Sequence, residues 1–268
     1  MTWWEAVILG LLQGLTEFLP VSSSGHLVLG QYVLGLPADD ISFEVFVHFG
    51  TVLSIVTVYR ERILSILKHV LLALREPSRL KLHYSGNEEF RLAVYILITM
   101  IPTGLIYLLF KETLEKAFGD PRFVLGMLLV TGVLLILTKL RTNPDGPLTP
   151  TKSFLIGIAQ GGALIPGISR SGSTICTGLY LNVTPEKAAN FSFLMSLPVI
   201  VGATGIQVVK LFETGFTTPL LSILIGTAIA YASGVVAIKI VLDFVRRGNL
   251  QYFAYYCFLI GTIGLLTI

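Results

Sequence analysis

The chain of 268 residues is 53% hydrophobic and only 13% charged, with a mean hydropathy of +0.79. No soluble domain of this length carries such a composition, so the chain belongs in a membrane. Its net charge of +3, without long basic runs or interleaved aromatics outside the apolar segments, gives no case for nucleic acid as a partner.

The chain opens MTWWEAVILG, with no basic segment ahead of the apolar run and an acidic Glu5 inside it. This predicts that the first segment is not a cleaved signal peptide. Residues 3–36 are apolar but broken in the middle by Pro, Ser and Gly, and neither half reaches the ~20 residues that a helix needs to span. Residues 153–183 have the same character. Such breaks persist at membrane depth only inside protein or beside a water-filled cavity, which predicts two re-entrant helical hairpins. Six spans are predicted at residues 43–59, 92–110, 123–140, 189–211, 220–242 and 252–268. The short alternating segments of a membrane barrel are absent, so the expected fold class is an all-α integral membrane protein.

Loop charges set an expected orientation. Residues 60–91 carry seven of the basic side chains, Arg60, Arg62, Lys68, Arg75, Arg79, Lys81 and Arg91, and by the positive-inside rule face the cytoplasm. Counting spans from there puts 141–152 and 243–251 inside and 111–122, 210–219 and both termini outside. The first hairpin then enters from outside and the second from inside.

The hairpins also echo one another. Residues 10–25 and their counterparts 147 positions later share Gly10/Gly157, Gln13/Gln160, Gly14/Gly161, Ser22/Ser169, Ser24/Ser171 and Gly25/Gly172. A weaker echo aligns EVFVHFGTVLS from Glu44 with EKAANFSFLMS from Glu186. With one hairpin and three spans in each half, the expectation is an inverted repeat, the first over about 1–140 and the second over about 153–268, in a single membrane domain. The copies differ at Glu17/Leu164, Ser23/Arg170 and His26/Ser173, which predicts one composite site built from two unlike halves.

Glu17, His26 and Arg170 are ionisable side chains at membrane depth, each costing about 2.5 to 3.5 kcal/mol or more to insert there, and such residues point to function. An Arg–Glu pair bridging two hairpins is the plainer reading, but Ser22, Ser23, Ser24, Ser169, Ser171, Ser173 and Thr174 supply more donors than one ion pair uses. A helix opening after Pro166 and Gly167 would aim free N–H groups at an anion, and Arg170 adds a fork matched to phosphate oxygens. Gln13 and Glu17, at i and i+4, share a helical face. A carboxylate beside a phosphate calls for a divalent cation between them, such as Mg²⁺. His26 titrates near neutrality and could activate Ser23 or a water. His48, on a span beside Glu44, is a candidate support for the site. His69 and His83 are expected to be solvated, and Cys176 and Cys257, in apolar surroundings, to be structural.

QGLTE from Gln13 to Glu17, PVSSSGH from Pro20 to His26 and PGISRSGST from Pro166 to Thr174 resemble the signatures of the bacterial undecaprenyl pyrophosphate phosphatases of the bacitracin-resistance (BacA/UppP) type. The likeness covers nearly the whole chain. That family pattern allows Glu or Gln at position 13; this chain carries Gln. The resemblance implies hydrolysis of undecaprenyl diphosphate to undecaprenyl phosphate and inorganic phosphate, recycling of the carrier for peptidoglycan synthesis, and bacitracin resistance. It implies a bacterial inner (plasma) membrane location, an inverted-repeat fold and a need for Mg²⁺ or Ca²⁺, with Glu17 as the metal residue. It also implies a catalytic core of Glu17, Ser23, His26 and Arg170, with Ser22, Ser169, Ser171 and Thr174 on the phosphate; Gln13 and Ser24 complete the expected substrate-binding set. Partners are then a polyprenyl diphosphate lipid and the bilayer itself. Residues alone do not choose between a Ser23 nucleophile and a His26-activated water, nor between a monomer and a homo-oligomer. The rival reading is a transporter or flippase of a polyprenyl phosphate lipid, since facing broken helices are also the plan of secondary transporters.

Overall fold

The computed structural model describes residues 1–36, 41–141, 143–215 and 218–267. Regular structure among them is helical, with one lone backbone bridge between Gly146 and Val183. The first broken stretch forms α1 (Trp3–Phe18) and α2 (Ser23–Leu34), and the second forms α8 (Pro150–Gly162) and α9 (Arg170–Tyr180). Within each stretch the two helices pack on one another. Both breaks fall at the Pro/Ser/Gly clusters, where proline withdraws a donor and serine offers the backbone an alternative partner.

The remaining helices are α3 (Ile41–Val58), α4 (Arg60–Arg75), α5 (Leu80–Gly86), α6 (Glu88–Ala117), α7 (Pro121–Ile136), α10 (Pro185–Thr214), α11 (Leu220–Arg246) and α12 (Gln251–Thr267). Four of these are long and apolar enough to cross a membrane: α6, α7 together with its closing 3-10 turn, α10 and α11. The α3–α4 pair passes as well but bends by 82°, and α12 is apolar but shorter. The chain is therefore an all-α, multi-pass membrane protein.

Several boundaries differ from the sequence reading. Residues 60–91 are mostly helical rather than a loop, because α4 and α5 follow the bend. Helix α6 begins at Glu88 and continues through Ala117, beyond the expected end at Phe110, so most of the expected outer loop at 111–122 is helix. Asn87 explains the early start by accepting the Phe90 N–H at 2.8 Å. Helix α10 starts at Pro185, whose missing N–H costs nothing in a first turn. Residue 142 of the expected inner loop, residues 216–217 of the expected outer loop and residue 268 of the last span lie outside the described residues.

Small residues allow the helices to approach closely, as expected where apolar burial between helices gives little drive. Helix α1 packs mainly on α11, and α8 mainly on α6. A Cβ added to Gly10 would lie 2.6 Å from the Gly226 carbonyl oxygen, and one added to Gly157 would lie 2.6 Å from that of Thr99. Gly10 and Gly157 are partners in the sequence echo, so the two echoed helices are seated alike, each against a helix of the other half. Substituting Gly10 with valine should lower thermal stability in detergent by about 1 to 3 kcal/mol, the usual cost of overpacking. The main apolar core joins both halves, with Phe18 of α1 edge-on to Phe193 of α10 at 5.8 Å between ring centres.

Candidate active site

The two chain breaks meet. A Cβ on Gly25 would lie 3.4 Å from the Gly167 Cα, and one on Gly172 would lie 3.3 Å from the Pro20 Cβ. The opening turns of α2 and α9 therefore abut, and their serine caps are hydrogen-bonded alike. Ser22 caps α2 by accepting the Gly25 N–H at 3.3 Å, and its hydroxyl lies 3.3 Å from that of Ser24. Ser169 caps α9 by accepting the Gly172 N–H at 3.1 Å, and its hydroxyl lies 3.2 Å from that of Ser171.

Each turn is anchored by a helix from outside its own broken stretch. The Thr131 hydroxyl on α7 donates to the Gly167 carbonyl at 2.9 Å and accepts the Ser169 N–H at 3.0 Å. Gly167 has φ of +92°, and a Cβ there would run into the Val124 carbonyl, so only glycine fits. Gly167→Ala should displace the start of α9 and lower both stability and turnover, measured by thermal unfolding and phosphate release. Across the junction, α12 sets Tyr256 and Cys257 against the first turn, the latter 4.0 Å from the Pro20 carbonyl.

Two helix starts converging at depth concentrate positive dipole ends in a poorly screened place, and an anion relieves this. Glu17, 7% exposed, supplies one. Its Oε1 accepts from Arg170 Nη2 at 2.5 Å, and its Oε2 accepts from the Ser23 hydroxyl at 2.7 Å and from Gln13 Nε2 at 3.0 Å. One carboxylate thus ties Gln13 and Glu17 of α1, Ser23 of α2 and Arg170 of α9 into a single junction. Glu17 and Arg170 are a buried ion pair, as the plainer reading held, but Ser23 and Gln13 belong to the same cluster.

Two buried polar atoms of this junction have no hydrogen-bond partner: Arg170 Nη1, a donor, and Gln13 Oε1, an acceptor. A donor suits a phosphate oxygen and an acceptor suits a cation. Among the described residues no group of three or more His, Cys, Asp and Glu side chains could hold a metal ion. The donors present still fit Mg²⁺ or Ca²⁺ shared with a phosphate, because Mg²⁺ is commonly held by one or two carboxylates plus substrate oxygens. Glu17 and Gln13 Oε1 would be the protein's share.

His26 is buried and doubly held. Its Nδ1 lies 2.8 Å from the Ser22 carbonyl, which can only accept, so Nδ1 carries the proton and the neutral ring leaves Nε2 as an acceptor. The Tyr256 hydroxyl, 2.8 Å away, donates to it. Ser22 makes this possible from a left-handed backbone, φ +70°, which few residues besides glycine adopt. Sequence reasoning left open whether His26 activates Ser23 or a water; in this structure the Ser23 hydroxyl is directed to Glu17. Tyr256 was missed because Tyr252, Tyr255 and Tyr256 together resemble an interfacial aromatic belt. Thr131 was missed as a single hydroxyl in an apolar span.

The other expected residues are placed as follows. The Ser171 hydroxyl crosses the junction to the Leu19 carbonyl at 3.2 Å. Thr174 lies 2.6 Å from the Ser192 hydroxyl of α10 and also donates within α9, so its hydroxyl serves helix packing rather than the carboxylate. His48 lies within electrostatic range of Glu17. His69 and His83 are half-buried, not fully solvated, and Cys176 and Cys257 are buried free thiols. A cavity of about 570 Å³ lies elsewhere, among Arg62, Thr184, Lys187 and Arg246, whereas the Glu17–Arg170 pair is buried.

Comparison with known proteins places this arrangement. Residues 6–263 match the family model described as bacitracin resistance protein BacA. The chain is 60% identical over 267 residues to a protein of Salinibacter ruber named undecaprenyl-diphosphatase, covering 99% of both chains. It is 41% identical to one of the same name from Halothermothrix orenii, covering 96% of this chain and 95% of the relative. A third, from Parabacteroides distasonis, is 39% identical, with 98% and 97% covered. With a family model spanning nearly its whole length and relatives of these identities matched end to end, the chain belongs to the bacitracin resistance protein BacA family.

Proposed function

We propose that the chain is an undecaprenyl-diphosphatase, which hydrolyses the terminal phosphate of undecaprenyl diphosphate to give undecaprenyl phosphate and inorganic phosphate. This activity returns the lipid carrier to peptidoglycan synthesis and raises resistance to bacitracin. The observation that carries the reading is the junction in which one carboxylate joins a hydroxyl, Ser23, to a phosphate-binding fork, Arg170, between two abutting helix starts.

In this mechanism Arg170 Nη1 and the helix-start amides hold the distal phosphate. A divalent cation on Glu17 and Gln13, when bound, supplies neutralisation of the diphosphate charge. Ser23 Oγ attacks the distal phosphorus while its proton passes to Glu17 Oε2. The bond from phosphorus to the bridging oxygen breaks, and undecaprenyl phosphate leaves. Water then cleaves the phosphoserine as the Tyr256 hydroxyl turns away from His26 Nε2, which takes the water's proton; Ser23 recovers its own proton from Glu17, and inorganic phosphate departs with the proton that His26 gives up. Phosphoryl transfer asks little covalent chemistry of a protein beyond positioning and neutralisation, and the junction is built for both.

The seven basic side chains of residues 60–91 and the family likeness support an inner-membrane protein with its termini outside and a site that opens to the outer face. The alike seating of α1 on α11 and α8 on α6 supports an inverted repeat.

Purified protein in detergent, given a polyprenyl diphosphate and Mg²⁺, should release inorganic phosphate. Substrate binding without release would overturn the reading and favour a carrier. Tyr256→Phe should reduce turnover about 3- to 10-fold, equivalent to one hydrogen bond of about 0.5 to 1.5 kcal/mol. Its melting temperature should stay near that of the parent, since the ring and its packing remain.

A further inference from the structure

Helix α4 leaves α3 at 82°, so it cannot continue that crossing and runs across its end. Its inner side is seated on the protein. Ala73 is fully buried, Ile63 and Ile66 join the main core, and the helix packs on α6. A neighbouring face bears Leu64, Leu67, Leu71 and Leu74, at i, i+3, i+7 and i+10, which fall within about 80° of one another on a helix. They are 66, 52, 57 and 68% exposed, a continuous leucine stripe with no protein cover. Lys68 and Arg75 border this stripe along one edge, Arg60 stands at its N-terminal end, and Glu61, Ser65 and His69 lie beyond Lys68 and Arg75. From residue 60 to residue 81 there are six basic side chains against two acidic ones.

A helix lying in water would not keep four leucines in a row exposed, and a second span would not carry five charges in sixteen residues. A helix at the end of a crossing, with an apolar stripe edged by cations, has the composition of one lying in the membrane–water interface. The cations specify the headgroup. Zwitterionic lipid offers them no net attraction, whereas an anionic leaflet does. Their long stems reach from a helix seated in the acyl boundary to phosphate level.

We propose that α4 is an interfacial helix which lays its leucine stripe into the acyl layer and gathers anionic phospholipid headgroups with Lys68, Arg75 and Arg60. None of these residues touches the Glu17 junction, and the assignment does not depend on the phosphatase reading.

The test uses full-length protein in vesicles of phosphatidylcholine and phosphatidylglycerol at 3:1, with bimane attached at Leu67→Cys or, separately, at Leu71→Cys. The native cysteines are buried and should remain unlabelled. Brominated acyl chains should quench both labels, whereas a label at Glu61→Cys should be quenched by aqueous iodide instead. At equal total bromine, brominated phosphatidylglycerol should quench roughly twofold more than brominated phosphatidylcholine, and Lys68→Glu with Arg75→Glu should abolish that difference. Thermal unfolding of each labelled protein, compared with the parent, checks that it is folded. Equal quenching by the two lipids would overturn the headgroup assignment. Iodide quenching at Leu67 and Leu71 would overturn the membrane seating. Protection from both quenchers, with crosslinks between copies, would assign the stripe to a second copy of the chain and overturn the proposal.

Discussion

Arg170→Ala is expected to lower kcat/KM by about 10³-fold or more, in the range lost when the arginine that stabilises a transferring phosphoryl group is removed. Phosphate release from a polyprenyl diphosphate measures it. Two losses combine in this variant. The phosphate loses its fork, and Glu17, buried at 7% exposure, keeps its charge with no cation beside it. Breaking a buried pair on one side costs about 3 to 5 kcal/mol of stability, so the variant should also melt early. The two effects can be separated. Arg170→Gln combined with Glu17→Gln removes both charges and should recover most of the stability while staying inactive. Arg170→Lys keeps the charge without the planar fork, and should fold well but turn over slowly. An Arg170→Ala protein with normal turnover would remove Arg170 from the reaction.

Ser23→Ala should abolish turnover to about one part in 10³ or less, because no other hydroxyl contacts Glu17 in the junction. Unlike the arginine variant, it should fold normally. Ser23 is half-buried, it caps nothing, and its removal leaves Glu17 still holding Arg170 and Gln13. Acid quenching during turnover of a substrate labelled at the distal phosphate should trap label on the parent protein and none on the variant. Near-normal turnover by Ser23→Ala would eliminate the serine nucleophile and leave a His26-activated water as the better account. His26 would then supply the base, with Nδ1 fixed on Ser22 and Nε2 freed as the Tyr256 hydroxyl turns away from it.

These two residues could be found from sequence because polar side chains in an apolar chain stand out, and the echo loses its polar matches at Glu17, Ser23 and His26, which marks where the halves divide their work. The hairpins were legible for a related reason, since Pro, Ser and Gly punctuate stretches too short to span. Helix α4 was not. A charge every few residues lowers its mean hydropathy to that of a loop, and its helical period shows only when the leucines are counted separately from the cations. The support that Tyr256 gives His26 was invisible because it spans 230 positions and its residue type had a plainer explanation. Thr174 illustrates the opposite case: a hydroxyl in the right motif whose partner, Ser192 on α10, no local pattern reveals.

The exchange of seats between the halves has a consequence for the order in which the molecule is made. Helix α1 emerges first from the ribosome, but the face bearing Gly10 and Gly14 is covered by α11, more than 200 residues later. Helix α6 likewise waits for α8. Neither half can complete its own packing, so the first hairpin must remain provisional until nearly the whole chain has been inserted. The Glu17 junction needs α1, α2 and α9 together, with α12 behind His26. It is therefore among the last parts to assemble, and a truncated or stalled chain would hold Glu17 without the arginine that neutralises it.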